Sequence, residues 1–153
     1  NLWVDYPKDD ELEEIISVST SGGFGEPDAV LSGEDILKMR EMVQQIPISR
    51  HVLKYIVRLT VATQPTHASA PDITKKYLDW GAGPRAGQYL SLGAKSRALL
   101  RGNLQATVED VRFVAHAVLR HRIVTNFTAI ADGKSPDDIV TELLKVVPEG
   151  DAS

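Results

Sequence analysis

The stretch from Thr107 to Arg122, TVEDVRFVAHAVLRHR, contains the most regular helical pattern of the chain. Thr107 is a suitable N-cap, with Asp110 three residues later, and basic residues end the stretch where the helix dipole favours positive charge. The apolar positions follow the spacing i, i+3, i+4, i+7 and i+8, which predicts one buried helix face formed by Val111, Val114, Ala115, Val118 and Leu119.

Weaker patterns of the same kind predict an all-α fold, a small helical bundle of five or six helices. A short strand or extended segment at 2–6 precedes the bundle. Helices are expected to begin at Pro7, after the caps Ser32 and Ser49, at Pro84 and after Ser135, with a short helical piece at 73–78. Their expected inward faces are Ile36, Met39 and Val43 in the second helix and Ala86, Tyr89, Leu90, Gly93 and Leu100 in the helix from Pro84.

Composition restricts the classes of function. The chain has 153 residues and a formal net charge of -4, so it has no overall attraction for nucleic acid or an anionic membrane. It contains no cysteine and no apolar run of membrane-spanning length. We therefore expect a cytoplasmic domain with no nucleic-acid partner and no membrane insertion.

The stretch GAGPRA, residues 81–86, has the strongest functional pattern. Two glycines form an open turn, and Pro84 suits the first helical position. Arg85 adds a phosphate-matching cation at the helix end that attracts anions, although a cation there opposes the helix dipole. Taken alone, the pattern also fits a glycine turn followed by a solvated arginine.

The run YLDWGAGPRA, residues 77–86, resembles the sensor-2 motif of MoxR-type AAA+ ATPases, which usually reads Gly-Ala-Ser-Pro-Arg-Ala. Gly83 replaces the usual serine and leaves Arg85 in register. Nearly the whole chain is covered in the right order, because further similar stretches are VDYP at 4–7, YIV at 55–57, AT at 62–63, TVEDV at 107–111 and VLRHRI at 118–123.

The resemblance implies that residues 1–7 end an ATPase core or linker and that 8–153 form the AAA+ C-terminal helical lid. Arg85 would be the sensor-2 arginine, which acts on ATP held by the core, and Pro84 and Gly83 would share the nucleotide contact. The parent protein would use ATP and magnesium. Its partners would be its own core, neighbouring subunits of a homo-oligomeric ring and a protein substrate or von Willebrand A-type protein.

The chain lacks the residues that hydrolysis would need. No Walker A or Walker B pattern occurs, because the Gly133-Lys134-Ser135 run has Thr128 where a P-loop needs its first glycine, and Ser135 is better explained as an N-cap. The four histidines have no helical metal-ligand spacing, so no metal site is predicted. We expect this chain alone to be inactive and to hold no cofactor.

A different class of function also fits. The chain could be a stand-alone helical protein-interaction module without a nucleotide role. The start at Asn1, without an initiator methionine, favours part of a longer protein. The coding sequence upstream of Asn1 discriminates the two, since the ATPase requires a P-loop there and the stand-alone module requires a start codon.

Overall fold

The computed structural model describes residues 4–22 and 25–150. These residues contain eight helices and one two-stranded antiparallel sheet, so the predicted helical bundle is confirmed. The chain divides into two compact units, Asn1–Met39 and Arg40–Ser153. None of the helices in the described ranges is long and apolar enough to cross a membrane.

The first unit contains α1, Asp9–Thr20, and the start of α2, Gly33–Gln45. The predicted cap of α2 is confirmed, because the Asp35 backbone N–H donates to Ser32 Oγ at 3.1 Å. The predicted buried face of α2 is wrong, since Ile36 and Met39 are exposed and Val43 is only partly buried. Residues 4–8 form no strand, and the rest of the predicted strand, Leu2 and Trp3, lies outside the described residues.

The second unit holds the hydrophobic core. Its helices are α3, Arg50–Ala62; α4, Asp72–Tyr77; α5, Pro84–Leu100; α6, Val108–Leu119; α7, Phe127–Ala131; and α8, Pro136–Val146. Long apolar side chains of α3, α5, α6 and α8 fill the core, among them Tyr55, Leu59, Leu90, Leu119, Ile139 and Leu143.

Small residues allow α5 and α6 to approach closely. A Cβ atom on Gly93 would lie 3.2 Å from Val114 of α6, so the absence of a side chain at Gly93 allows this close contact. The buried side chains of α5 repeat every four residues: Ala86, Leu90, Ala94 and Ala98. The inward positions predicted for Tyr89 and Leu100 are therefore wrong, because both side chains are exposed.

Charged side chains join the same two helices. The Asp110 carboxylate is completely buried; its Oδ2 accepts from the Thr107 hydroxyl at 2.8 Å, and its Oδ1 accepts from Arg97 Nη1 at 3.1 Å. Arg97 also lies over the Phe113 ring and pairs with the exposed Glu109. The N-cap predicted at Thr107 is confirmed, and its acidic partner also connects α6 to α5.

The sheet was not predicted. Strand β1, Leu78–Trp80, pairs with β2, Val124–Thr125, and an irregularity separates the two paired positions. Asn126 extends this connection, since its Nδ2 donates to Lys76 O while its Oδ1 caps α7. The sheet therefore ties the segment before residue 81 to the segment after α6.

Candidate functional site

The loop of residues 81–83, which joins β1 to α5, lies directly against the end of α3. A Cβ atom on Gly81 would lie 2.3 Å from Thr63 O and 2.7 Å from Gln64 Cα. Real Cβ atoms do not approach backbone atoms so closely, so only glycine fits there. Gly81 is thus required by close backbone approach, whereas the sequence pattern indicated only an open turn.

Both backbone polar groups of Ala82 are held by side chains at the end of α3. The Thr63 hydroxyl accepts a hydrogen bond from the Ala82 N–H at 2.8 Å, and it donates to Thr60 O at 2.6 Å. Gln64 Nε2 donates to Ala82 O at 3.1 Å. Ala82 and Thr63 are buried, so these bonds are shielded from competing water.

Helix α5 begins immediately after this fixed loop. Gly83 is its N-cap in an extended conformation, with φ -89°, and contributes no side-chain cap. Pro84 is the first helical residue, as predicted, and Arg85 is the second. The buried Ala86 follows, and its N–H donates to Gly83 O at 2.9 Å. Arg85 therefore lies in a first helical turn that is fixed by the loop before it and by the buried Ala86 after it.

The Arg85 side chain is exposed and unpaired. It makes no hydrogen bond, ion pair or ring contact with any residue in the described ranges. The later arginines of the chain differ, because each has a hydrogen-bond acceptor or carboxylate partner: Arg97, Arg101, Arg112, Arg120 and Arg122. A guanidinium without an internal partner in the first turn of a helix is free to contact an anion supplied from elsewhere, and the exposed Arg50 at the start of α3 shares this unpaired state.

An open apolar groove between α3 and α5 begins beside Pro84. Leu53 and Val57 of α3 and Leu92 of α5 line it, and all three are substantially exposed. None of its lining residues is charged. The surface next to Arg85 thus suits contact with another protein surface.

The Gly133-Lys134-Ser135 run is not a phosphate cradle. Ser135 caps α8, because its Oγ accepts from the Asp138 backbone N–H at 3.2 Å while Asp138 Oδ2 accepts from the Ser135 backbone N–H. Hydrogen bonds from the Ser135 hydroxyl and backbone lower the pKa of the Asp138 carboxyl. The N-cap role predicted for Ser135 is confirmed.

His116 and His121 interact with charged side chains of the domain itself. His116 Nδ1 is 3.0 Å from Asp137 Oδ1, a contact that joins α6 to α8. Burial, with the neighbouring Arg122 and Arg120, lowers the pKa of His121. No group of three potential metal-ligating side chains occurs within residues 4–22 and 25–150.

Sequence reasoning missed the part that Thr63 and Gln64 play in this site. Residues 62–63 entered the family resemblance without a role, because a hydrogen bond across 19 residues leaves no periodic pattern. The high cost of a buried, unpaired N–H is the physical signal, and it becomes visible only once Ala82 is placed.

Comparisons with known proteins identify the family of this helical domain. Residues 70–143 match the family model described as AAA lid domain. Over 146 residues, the chain is 33% identical to the protein named Chaperone MoxR1 of Mycobacterium tuberculosis, covering 94% of this chain and 38% of that protein. The chain contains an AAA lid domain of the MoxR type. The family predicted from residues 77–86 and the other similar stretches is thereby confirmed.

Two further proteins align with nearly the whole of this chain. The protein YeaC of Bacillus subtilis, described as uncharacterized, is 24% identical over 147 residues, covering 95% of this chain and 43% of that protein. A crystal structure of a candidate ATPase from Cytophaga hutchinsonii superposes with a TM-score of 0.74 and 28% identity, covering 95% of this chain and 44% of that one. The chain thus spans less than half the length of each relative.

Proposed function

We propose that this lid domain couples ATP binding and hydrolysis in the ATPase core of a parent protein to remodelling of a protein partner. Arg85 carries the proposal, as an exposed and unpaired guanidinium on a rigidly held helix start. The core would be a separate domain, with residues 1–7 as the exit from it and 8–153 as the lid. We also propose that the part of each relative that this chain does not cover contains such a core.

The chemistry of the site fits a triphosphate. The planar guanidinium offers paired donors to phosphate oxygens, and the first turn of a helix adds a favourable dipole. Gly83 leaves open space at the cap, because a Cβ atom there would meet nothing within 4 Å. Magnesium and ATP would be held by the core, since the lid domain has no P-loop.

Arg85 would act on the γ-phosphate in two ways. Its charge stabilises negative charge that develops during phosphoryl transfer. Its contact also exists only while that phosphate is in place, so the closed and open lid positions differ in free energy between the ATP and ADP states. Gly83 and Pro84 place the guanidinium at the N-terminal end of α5, which would face the phosphates.

Partners follow from the same proposal. The lid domain would contact its own core and neighbouring subunits of a homo-oligomeric ring, and the uncharged groove beside Pro84 supports a contact between protein surfaces. The relative that is named a chaperone supports a protein substrate. A von Willebrand A-type protein as that partner is implied by the family resemblance alone.

The test uses the parent protein with its core. Arg85→Ala should lower ATPase turnover by roughly a hundredfold, because one charge-stabilising donor is lost from the transition state. Arg85→Lys should keep part of the turnover, since it retains the charge and loses the fork. The matched control is Arg50→Ala, which removes an exposed, unpaired arginine from the first turn of α3. Normal turnover of the Arg85→Ala protein refutes the proposal.

A further inference from the structure

We infer that Thr63 is a positioning residue that sets the place of the Arg85 guanidinium through the backbone of Ala82, an inference that rests on the proposed role of Arg85. Thr63 itself lies in the core, completely buried, and cannot touch a nucleotide. Its effect on turnover would pass entirely through the loop that leads to Arg85.

The Thr63 hydroxyl donates one hydrogen bond and accepts another, which fixes its orientation. A hydroxyl has one hydrogen to donate, and here it goes to Thr60 O at 2.6 Å. A lone pair remains to accept from the Ala82 N–H at 2.8 Å. The backbone of Ala82 is thereby connected through one side chain to the last turn of α3.

Two more contacts remove the remaining freedom of the loop. Gly81 lies so close to Thr63 O that the loop cannot move inward, and Gln64 Nε2 holds Ala82 O. Only Gly83 and Pro84 separate Ala82 from Arg85. Any shift of the end of α3 therefore displaces the start of α5, and a displacement of about 1 Å is enough to impair catalysis strongly.

The chain offers a matched control for a buried hydroxyl. Thr74 is also completely buried, and its Oγ1 donates to Ala62 O at 2.6 Å, at the same end of α3. Its hydroxyl connects α4 to α3 and makes no hydrogen bond to residues 81–83. Thr63→Val and Thr74→Val thus remove the same chemical group from the same region, but only the first releases the loop.

The experiment is a double-mutant cycle on ATP turnover by the parent protein. Thr63→Val should lower kcat roughly tenfold and raise KM for ATP, because the displaced guanidinium loses part of its γ-phosphate contact both in the bound state and in the transition state. Thr63→Ser should restore turnover, since it keeps the hydroxyl. In the Arg85→Ala background, Thr63→Val should change kcat by less than about twofold, because the group it positions is gone. Thr74→Val should leave kcat unchanged.

The outcomes separate this inference from the proposed function. If Arg85→Ala alone leaves kcat unchanged, the proposed function fails and Thr63 has nothing to position. If Arg85→Ala lowers kcat but Thr63→Val does not, or if the two losses multiply, the inference is overturned and the proposed function stands. Where Thr63→Val does not fold, Gln64→Ala serves in the same cycle, because it removes the bond to Ala82 O from a half-buried position. If Gln64→Ala lowers kcat by the same factor with and without Arg85, the inference is likewise overturned.

Discussion

The carbonyl oxygen of Thr63 lies where a side chain on Gly81 would begin, 2.3 Å from the position of its Cβ atom. This contact brings the end of α3 against the loop that precedes α5. Since the opposing atoms belong to the backbone, no side-chain rotation can relieve the overlap.

Gly81→Ala should therefore destabilise the domain. We expect a loss of about 1–3 kcal/mol in the free energy of unfolding, because the backbone at Thr63 or at residue 81 must shift. Chemical denaturation measures the loss. The control is Gly83→Ser, because a Cβ atom there would meet no atom within 4 Å and the serine adds a capping hydroxyl. The Gly83→Ser protein should be as stable as the unmodified chain, or more stable by about 0.3 kcal/mol. Equal stabilities for Gly81→Ala and the unmodified chain would contradict the close contact.

Asp110→Ala should be one of the most damaging single changes. It removes the partner of Arg97 inside the α5 and α6 contact and also the acidic half of the Thr107 cap. We expect a loss of about 3 kcal/mol in unfolding free energy. Glu109→Ala removes an exposed partner of the same arginine and should cost less than about 1 kcal/mol. Similar losses for the two variants would show that burial of Asp110 is unimportant.

Asp132 should contribute a pH-dependent part of the stability. Hydrogen bonds from Lys76 and from the Tyr77 hydroxyl lower the pKa of Asp132 below 3.8. The folded state therefore favours the carboxylate, and this contribution is complete above pH 3.8 and disappears as the pH falls through the folded pKa. The stability difference between the unmodified chain and Asp132→Asn should shrink over that range. A difference that persists unchanged into strong acid would contradict the assignment.

Arg85 should contribute nothing to the stability of this chain. Arg85→Ala removes an unpaired cation from the first turn of α5, where it opposes the helix dipole, so the melting temperature should stay the same or rise slightly. Arg97→Ala is the comparison, and it should lower the melting temperature because Asp110 loses its buried ion pair. A clear drop for Arg85→Ala would make Arg85 a structural residue.

Helix caps and helix starts were predictable from the sequence because they depend on residues that are close together in the chain. The caps at Ser32, Thr107 and Ser135 were predictable because each pairs with an acidic residue three positions later. The position of Arg85 at a helix start followed equally from the neighbouring Pro84.

Non-local features were beyond the sequence pattern. Strands β1 and β2 have only three and two residues, too few for an alternating pattern, and they pair across more than forty positions. The unpaired state of Arg85 depends on where every carboxylate of the chain lies, and the bond from Thr63 to Ala82 depends on how α3 ends. The exposed faces of α1 and α2 show that an apolar stripe predicts a helix without stating whether this chain buries it.

The central claim is that Arg85 contacts the γ-phosphate, and affinity measurements on the parent protein test it most directly. Arg85→Ala should weaken binding of a non-hydrolysable ATP analogue about tenfold or more, the loss of one charge-assisted hydrogen bond, while affinity for ADP stays the same. Arg50→Ala should change neither affinity. Equal weakening for the ATP analogue and ADP, or none for either, would contradict the claim.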